Sequence, residues 1–226
     1  MQTAIPVITI DGPSGAGKGT LTRLLAEQTG FAILDSGALY RLTGLAAVLK
    51  GIDLHNEQAV AEVAKSLDVS FVTENQNTKT LLEGSDVSLE IRTEEGGRYA
   101  SIVAAHPLVR EALFQRQRDF AQLPGLIADG RDMGTVVFPE APVKVFLTAS
   151  SHERAKRRVL QLQGSGLDAD YDKILSDIEE RDQRDSSRSA APLKPAPDAI
   201  VLDSTALSID QVYNNVFEKV KAKGWA

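Results

Sequence analysis

The chain has 226 residues, 42% of them apolar and 25% charged, with a formal net charge of −6. That length suits one α/β core with an elaboration, and the acidic balance argues against a general binder of nucleic acid or anionic membrane. Cysteine is absent, which removes disulfides and thiolate chemistry, and no run approaches the ~20 apolar residues of a membrane span.

Met1-Gln2-Thr3-Ala4 has neither a basic region nor a cleavage site, so a cytoplasmic location is expected. Pro6 to Ile10 reads as a short strand, and a helical pattern with Leu21, Leu24 and Leu25 runs to about Thr29, closed by Gly30. Between them lies Gly12-Pro13-Ser14-Gly15-Ala16-Gly17-Lys18-Gly19-Thr20, which matches the G-x-x-x-x-G-K core of a phosphate-cradling P-loop. Its glycines allow successive N–H groups to point into one concavity at the positive end of a helix. Lys18 adds a mobile point charge for the β- and γ-phosphates. The hydroxyl usual after that lysine is replaced by Gly19 and comes one place later, at Thr20.

Phe31 to Leu34 predicts a second strand, and Leu39, Leu42, Leu45 and Leu49 predict a helix after Asp35-Ser36-Gly37, ending near Gly51. From Leu67 the texture changes. Val69 and Phe71, then Thr78 to Leu82, and then the alternating Val87, Leu89 and Ile91 predict a small antiparallel meander, with a first turn at Asn75-Gln76-Asn77. Helices are expected over Glu94 to Ala105 and Pro107 to Leu123. Strands follow at Leu126 to Asp129 and Val143 to Leu147. Ser150 with Glu153 forms a capping box for a helix carrying Arg154, Lys156, Arg157 and Arg158. Gly164-Ser165-Gly166 interrupts it, a helix over about Asp170 to Arg188 follows, and Ala199 to Leu202 is a last strand. Ser208 with Gln211 opens the final helix. Alternating strands and helices predict a parallel sheet flanked by helices, with ligands at the carboxyl ends of the strands.

Candidate chemistry gathers at those ends. Asp129 closes an apolar strand, as expected of an acid that holds Mg²⁺, through water, beside a P-loop. Arg131 offers a planar fork for phosphate and Asp132 an acceptor. Ile174, Ile178, Arg181, Asp185 and Arg188 share one helix face, apolar first and then charged. Such a face either leaves the core or meets an anionic, hydroxyl-rich ligand. With Arg41 and the Arg154–Arg158 cluster, these arginines exceed what one triphosphate needs, so two phosphorylated ligands fit better. His55, His106 and His152 fall in no triad or metal spacing.

The Lys18-Gly19-Thr20 ending resembles that of nucleoside monophosphate kinases. Leu34-Asp35-Ser36-Gly37-Ala38-Leu39-Tyr40-Arg41, Ala128 to Val137 and Glu180 to Arg188 closely resemble the bacterial cytidylate kinases, and the likeness runs from about Ile5 to Val220. The resemblance implies transfer of the ATP γ-phosphate to CMP or dCMP with Mg²⁺, by a monomer that binds neither nucleic acid nor membrane. It implies a single P-loop domain with a core at 1–34, 107–152 and 189–226. A CMP-binding region with the three-stranded insert would span 35–106, a short lid 153–170 and a returning helix 170–188. The Gly12–Thr20 loop would bind ATP, joined by Arg157. Arg41, Arg131 and Arg188 would hold the CMP phosphate, and Ser101, Arg110 and Asp132 would read the cytosine edge. Arg181 and Asp185 would lie near the ribose, with Ser36 and Tyr40 lining the same pocket. Lys18, Arg131, Arg188 and Arg158 would be catalytic, although the resemblance does not separate Arg154, Arg157 and Arg158 as the group that closes on the transferring phosphoryl.

Three other readings bear on the P-loop. A kinase acting on a small-molecule hydroxyl could use Asp129 or Asp35 as base, but fits a second arginine-rich site poorly. A GTPase-type switch lacks its Asn-Lys-x-Asp guanine-reading segment here. A nucleotide-sensing module would bind ATP without turnover.

Overall fold

The computed structural model describes residues 5–74 and 77–225. In chain order the elements are β1 (Val7–Asp11), α1 (Lys18–Thr29), β2 (Ala32–Asp35), α2 (Ser36–Leu49), α3 (Glu57–Lys65), β3 (Val69–Glu74), β4 (Asn77–Leu82) and β5 (Ser85–Asp86). Then follow α4 (Glu94–Val103), α5 (Pro107–Arg118), β6 (Leu126–Gly130), β7 (Val143–Thr148), α6 (Ser151–Gly164), α7 (Tyr171–Ser187), β8 (Ile200–Asp203) and α8 (Ile209–Lys221). They form two compact units, Met1–Asp35 with Arg118–Ala226, and Ser36–Gln117.

The first unit is built on a five-stranded sheet in the order β2-β6-β1-β7-β8, with every neighbouring pair parallel. All five residues of β1 are buried. Ile8 and Ile10 join Leu21 and Leu25 of α1, Val145 and Leu147 of β7, and Val212, Val216 and Val220 of α8 in one core. Apolar residues at such spacing on α8 give it a narrow buried stripe, and both hydrogen bonds of the Ser208–Gln211 capping box are present. Parallel pairing sets Asp35 opposite Asp129, and Asp11 opposite Gly130. The chain leaves β1 for β6 and β2 on one side and for β7 and β8 on the other. In such sheets that reversal opens a crevice at the strands' carboxyl ends.

The other capping box is half formed. Ser150 accepts from the Glu153 N–H, but the Glu153 carboxylate takes the Arg157 Nε at 3.1 Å while the Ser150 N–H donates to Thr205 Oγ1 at 2.9 Å. A charged partner four residues on outcompetes the neutral amide.

The second unit packs α2 against α4. Position 44 needs glycine there, because a Cβ would stand 2.6 Å from Tyr99 Cβ. Strands β3, β4 and β5 form the expected antiparallel sheet. Asn75 and Gln76 of the expected turn lie outside the described residues.

The third strand differs from expectation. It is only Ser85–Asp86, and Glu90–Arg92 is a 3₁₀ turn. Asp86 accepts from both the N–H and the hydroxyl of Ser88, and the Thr80 N–H of β4 then donates to the Ser88 hydroxyl instead of a backbone carbonyl, so the regular ladder stops there. Val87 and Ile91 are buried while Leu89 is 79% exposed. A spacing of four serves alternation and a helical turn equally, and here the turn wins. Helix α5 also ends at Arg118, short of Leu123. Helix α3 is absent from the elements read off the sequence. Its signals are Asn56 accepting from the Ala59 N–H, Glu57 in the first turn and Lys65 in the last.

Candidate active site

The Gly12–Thr20 loop leaves β1 beside β7. At Gly12, φ is +148° and a Cβ would fall 1.9 Å from the Leu147 carbonyl oxygen. No other residue fits that approach. Gly15 and Gly17 have φ of +78° and +97°, and Gly17 stands at the start of α1 with no side-chain cap on the helix. The first-turn N–H groups of α1 therefore lack intrahelical partners, as an anion site requires.

The loop's carbonyls are held by three side chains, one of its own and two from elsewhere. Lys18 Nζ donates to Pro13 O at 3.1 Å, Arg154 Nη1 to Ser14 O at 3.1 Å, and Ser204 Oγ to Ala16 O at 3.2 Å. Because a trans peptide sends its N–H opposite to its C=O, fixing these carbonyls turns the N–H groups of residues 14, 15 and 17 the other way. Lys18 is buried and its ammonium lies 3.7 Å from Asp129 Oδ1. Burial, with the Arg131 charge, lowers its pKa to about 8 against the pull of Asp129 and Asp35. Gly19 is the loop residue that faces Asp129, its Cβ position 4.0 Å from Oδ2, while Thr20 is exposed.

Asp11 ends β1 and is 4% exposed. Its two oxygens accept the N–H groups of Met133 and Gly134, each at 2.8 Å, at the start of a π-turn over Met133–Val137. Burial raises its pKa to about 7, opposed by those two N–H groups. The strand that launches the P-loop thus also anchors the loop carrying Arg131 and Asp132.

Arg131 Nε donates to Asp185 Oδ2 at 2.9 Å, and Arg188 Nη2 lies 3.7 Å from Asp185 Oδ1. Asp185 is buried, and the Arg188 side chain is 6% exposed. Burial alone would raise the Asp185 pKa, but Arg131, Arg188 and Arg181 together hold it below the usual carboxylate value. Arg131 is pulled down by burial and raised further by Asp185, Asp129 and Asp11. The charged end of the α7 face therefore lies inward and is met by Arg131.

Of the α6 arginines, Arg154 is the buried one and touches the P-loop. Arg157 donates to Ser204 O at 2.7 Å and to Ser204 Oγ at 3.2 Å, and so reaches the loop only through Ser204. Arg158 donates to Gln161 on its own helix at 2.9 Å.

In the second unit, Ser36 Oγ donates to Gln117 Oε1 at 2.7 Å in a buried pair. The Arg110 guanidinium lies 5.5 Å from the Tyr40 ring centre and donates to Ala104 O at 3.1 Å. Ser101 on α4 is buried and Arg41 on α2 half-buried.

A family model described as cytidylate kinase matches residues 8–222. The chain belongs to the cytidylate kinase family. It is 56% identical over 223 residues to the cytidylate kinase of Vibrio vulnificus strain CMCP6, covering 99% of each chain. It is 56% identical over 227 residues to that of Pseudomonas paraeruginosa strain PA7, covering 100% of this chain and 99% of that one. Among solved structures, TT1252 from Thermus thermophilus overlays 98% of both chains at a TM-score of 0.47 and 19% identity.

Four residues that hold candidate groups of this cytidylate kinase within one unit or the other escape reasoning from sequence. Asp182 stands inside the Glu180–Arg188 run, where its alternation with arginine is a usable signal. Asp11, directly before the first glycine of the loop, is a weaker one. Ser204 and Gln117 carry no signal at all, since each matters only through a partner far away in the chain.

Proposed function

We infer that this protein transfers the γ-phosphate of ATP to CMP or dCMP, giving ADP with CDP or dCDP. The observation that carries the reading is the family match across residues 8–222, over a P-loop whose unit also holds the Arg131–Asp185–Arg188 cluster. The donor triphosphate lies along Gly12–Thr20, with Lys18 leaving the Pro13 carbonyl for the β- and γ-phosphates. Arg41, Arg131 and Arg188 hold the CMP phosphate, Ser101, Arg110 and Asp132 read the cytosine edge, Arg181 and Asp185 serve the ribose, and Ser36 and Tyr40 line that pocket.

The acceptor is itself a phosphate oxygen, already anionic at neutral pH, so no side chain has to remove a proton. Catalysis is then alignment of the two phosphates and neutralisation of charge by preorganised cations. Arg131 is pre-aligned by Asp185, and binding of CMP phosphate exchanges a fixed carboxylate for a ligand without building the site anew. Arg158 closes on the transferring phosphoryl and Arg157 supports ATP.

Asp129 and Asp35 fit Mg²⁺: they are hard oxygen donors paired across adjacent strands, and the glycine at position 19 places no side chain against Asp129 Oδ2. Among the described residues no group of three or more His, Asp or Glu could cage a metal. Mg²⁺ bound by one or two carboxylates and the substrate's phosphates needs no such cage. When bound it would shield the β- and γ-phosphate oxygens, with Asp129 holding it through water.

The test is release of ADP from ATP against a panel of CMP, dCMP, UMP and AMP. CMP and dCMP are expected to be turned over fastest. Equal rates with all four, or tight ATP binding with no CMP-dependent ADP, would remove the proposal.

A further inference from the structure

Two carboxylates one turn apart on α7, Asp182 and Asp185, each meet an arginine of another element, and the acceptor site uses only Asp185. The other, Asp182, faces Arg154 of α6, with Nη1 to Oδ1 at 3.1 Å and Nη2 bonded to Oδ2. Arg154 is 3% exposed, and its Nε donates to Ala149 O at 2.9 Å. The same Nη1 reaches Ser14 O inside the P-loop. The aliphatic stem also lies on the loop, since a Cβ at Gly15 would stand 3.3 Å from Arg154 Cβ.

These contacts form one chain of constraint. Asp182 sets the plane of the guanidinium, and the guanidinium sets the Ser14 carbonyl. That carbonyl sets the direction of the N–H on the other side of the same peptide. A guanidinium buried this deeply is costly without its carboxylate, so the loop contact and the α6–α7 contact stand or fall together. The two helices are tied elsewhere too, by Ser151 Oγ to Glu179 at 3.0 Å and His152 Nδ1 to the Tyr171 hydroxyl at 2.9 Å. Those outer contacts are exposed and do not reach the P-loop, whereas Arg154–Asp182 does.

We propose that Arg154 and Asp182 are a positioning pair: they hold the P-loop in its phosphate-accepting curl and tie it to the helix that bears Asp185 and Arg188. Neither residue needs to touch a reacting atom. The proposal rests on reading Gly12–Thr20 as the ATP site, and it adds the device that keeps this site formed before ATP arrives.

The experiment compares Asp182→Asn, Arg154→Lys and Lys18→Ala with the unaltered enzyme, using direct titration of ADP and, separately, of CMP. Asn keeps the shape of Asp182 but removes its charge. Lys keeps the charge of Arg154 but cannot bond Asp182 and Ser14 at once. Both are expected to weaken ADP about tenfold, with CMP affinity in the absence of ADP changed less than threefold. Asp182→Glu should recover part of the loss, which a simple packing role would not predict. Should Arg154→Lys fail to fold, Asp182→Asn decides alone. An ADP affinity within threefold of the unaltered enzyme, or a CMP loss as large as the ADP loss, overturns the pair. If Lys18→Ala also leaves ADP binding intact, the ATP-site reading fails with it; if Lys18→Ala weakens ADP while Asp182→Asn does not, only the pair fails.

Discussion

The two units solve the problem of holding polar groups in opposite ways. In the first, Lys18, Arg131, Arg154, Asp185 and Arg188 have side chains that are mostly or wholly withdrawn from water and lie beside opposite charges. In the second, Ser36 is held by a neutral partner, its Oγ donating to Gln117 Oε1 at 2.7 Å, and the Arg110 guanidinium rests on the Tyr40 ring. The contrast extends to titration. The first unit has buried groups with displaced pKa values, Asp11 and Lys18 among them. The groups displaced in the second unit lie nearer the surface, Lys65 and Asp86 exposed and Tyr99 half-buried. A network of mutually paired charges is stiff and is set before the ligand arrives, which suits alignment of phosphates. Neutral hydrogen bonds and ring contacts on packed helices would suit the reading of one base edge, where each group contributes its own discrimination.

If that division is right, changes in the first unit act on turnover and stability. The largest effect is expected for Lys18→Ala, a fall in kcat of about 10³-fold with the CMP KM changed only a few-fold. Steady-state kinetics with both substrates varied would check it, and an effect confined to the CMP KM would break the comparison. Next comes Asp185→Ala, which leaves Arg131 and Arg188 without their shared carboxylate. It is expected to cost about 3 kcal/mol of folding stability in urea titrations, and to weaken CMP as well.

The pH dependence of stability sharpens the contrast. The folded Asp11 pKa of about 7 lies above its ordinary value of 3.8, so between those values the folded state holds a proton that the unfolded chain releases. Its contribution is therefore most favourable below about pH 4 and is lost as pH rises through 7. Asp11→Asn removes that slope. Between pH 5 and 8 the unaltered protein should lose on the order of 2 kcal/mol more stability than the variant, as measured by urea titration at each pH. Parallel profiles would take Asp11 out of the account.

How much of this was legible in the sequence follows from the range of each cause. The P-loop was legible because positive φ at Gly12, Gly15 and Gly17 demands glycine at fixed spacing, a purely local requirement. The common face of Arg181, Asp185 and Arg188 was legible from helical periodicity. What met that face was not, because Arg131 lies 54 residues from Asp185 and joins it only in the folded chain. Arg154, Arg157 and Arg158 share one helix turn and look alike in sequence. Their contacts differ because Arg154 lies nearest the end of β7, within reach of Ala149 and Ser14. Val87 and Ile91 misled because their spacing fits two periods. Ser101 and Arg110 entered through family resemblance alone, since α4 and α5 carry no motif of their own.

The division of labour is tested most directly by the ratio of kcat/KM for CMP to that for UMP in Arg110→Met. Methionine keeps an unbranched apolar stem and removes the donor that would meet the cytosine N3 acceptor. The account predicts that the ratio falls about tenfold or more while kcat at saturating CMP stays within about threefold. An unchanged ratio accompanied by a large fall in kcat would contradict it.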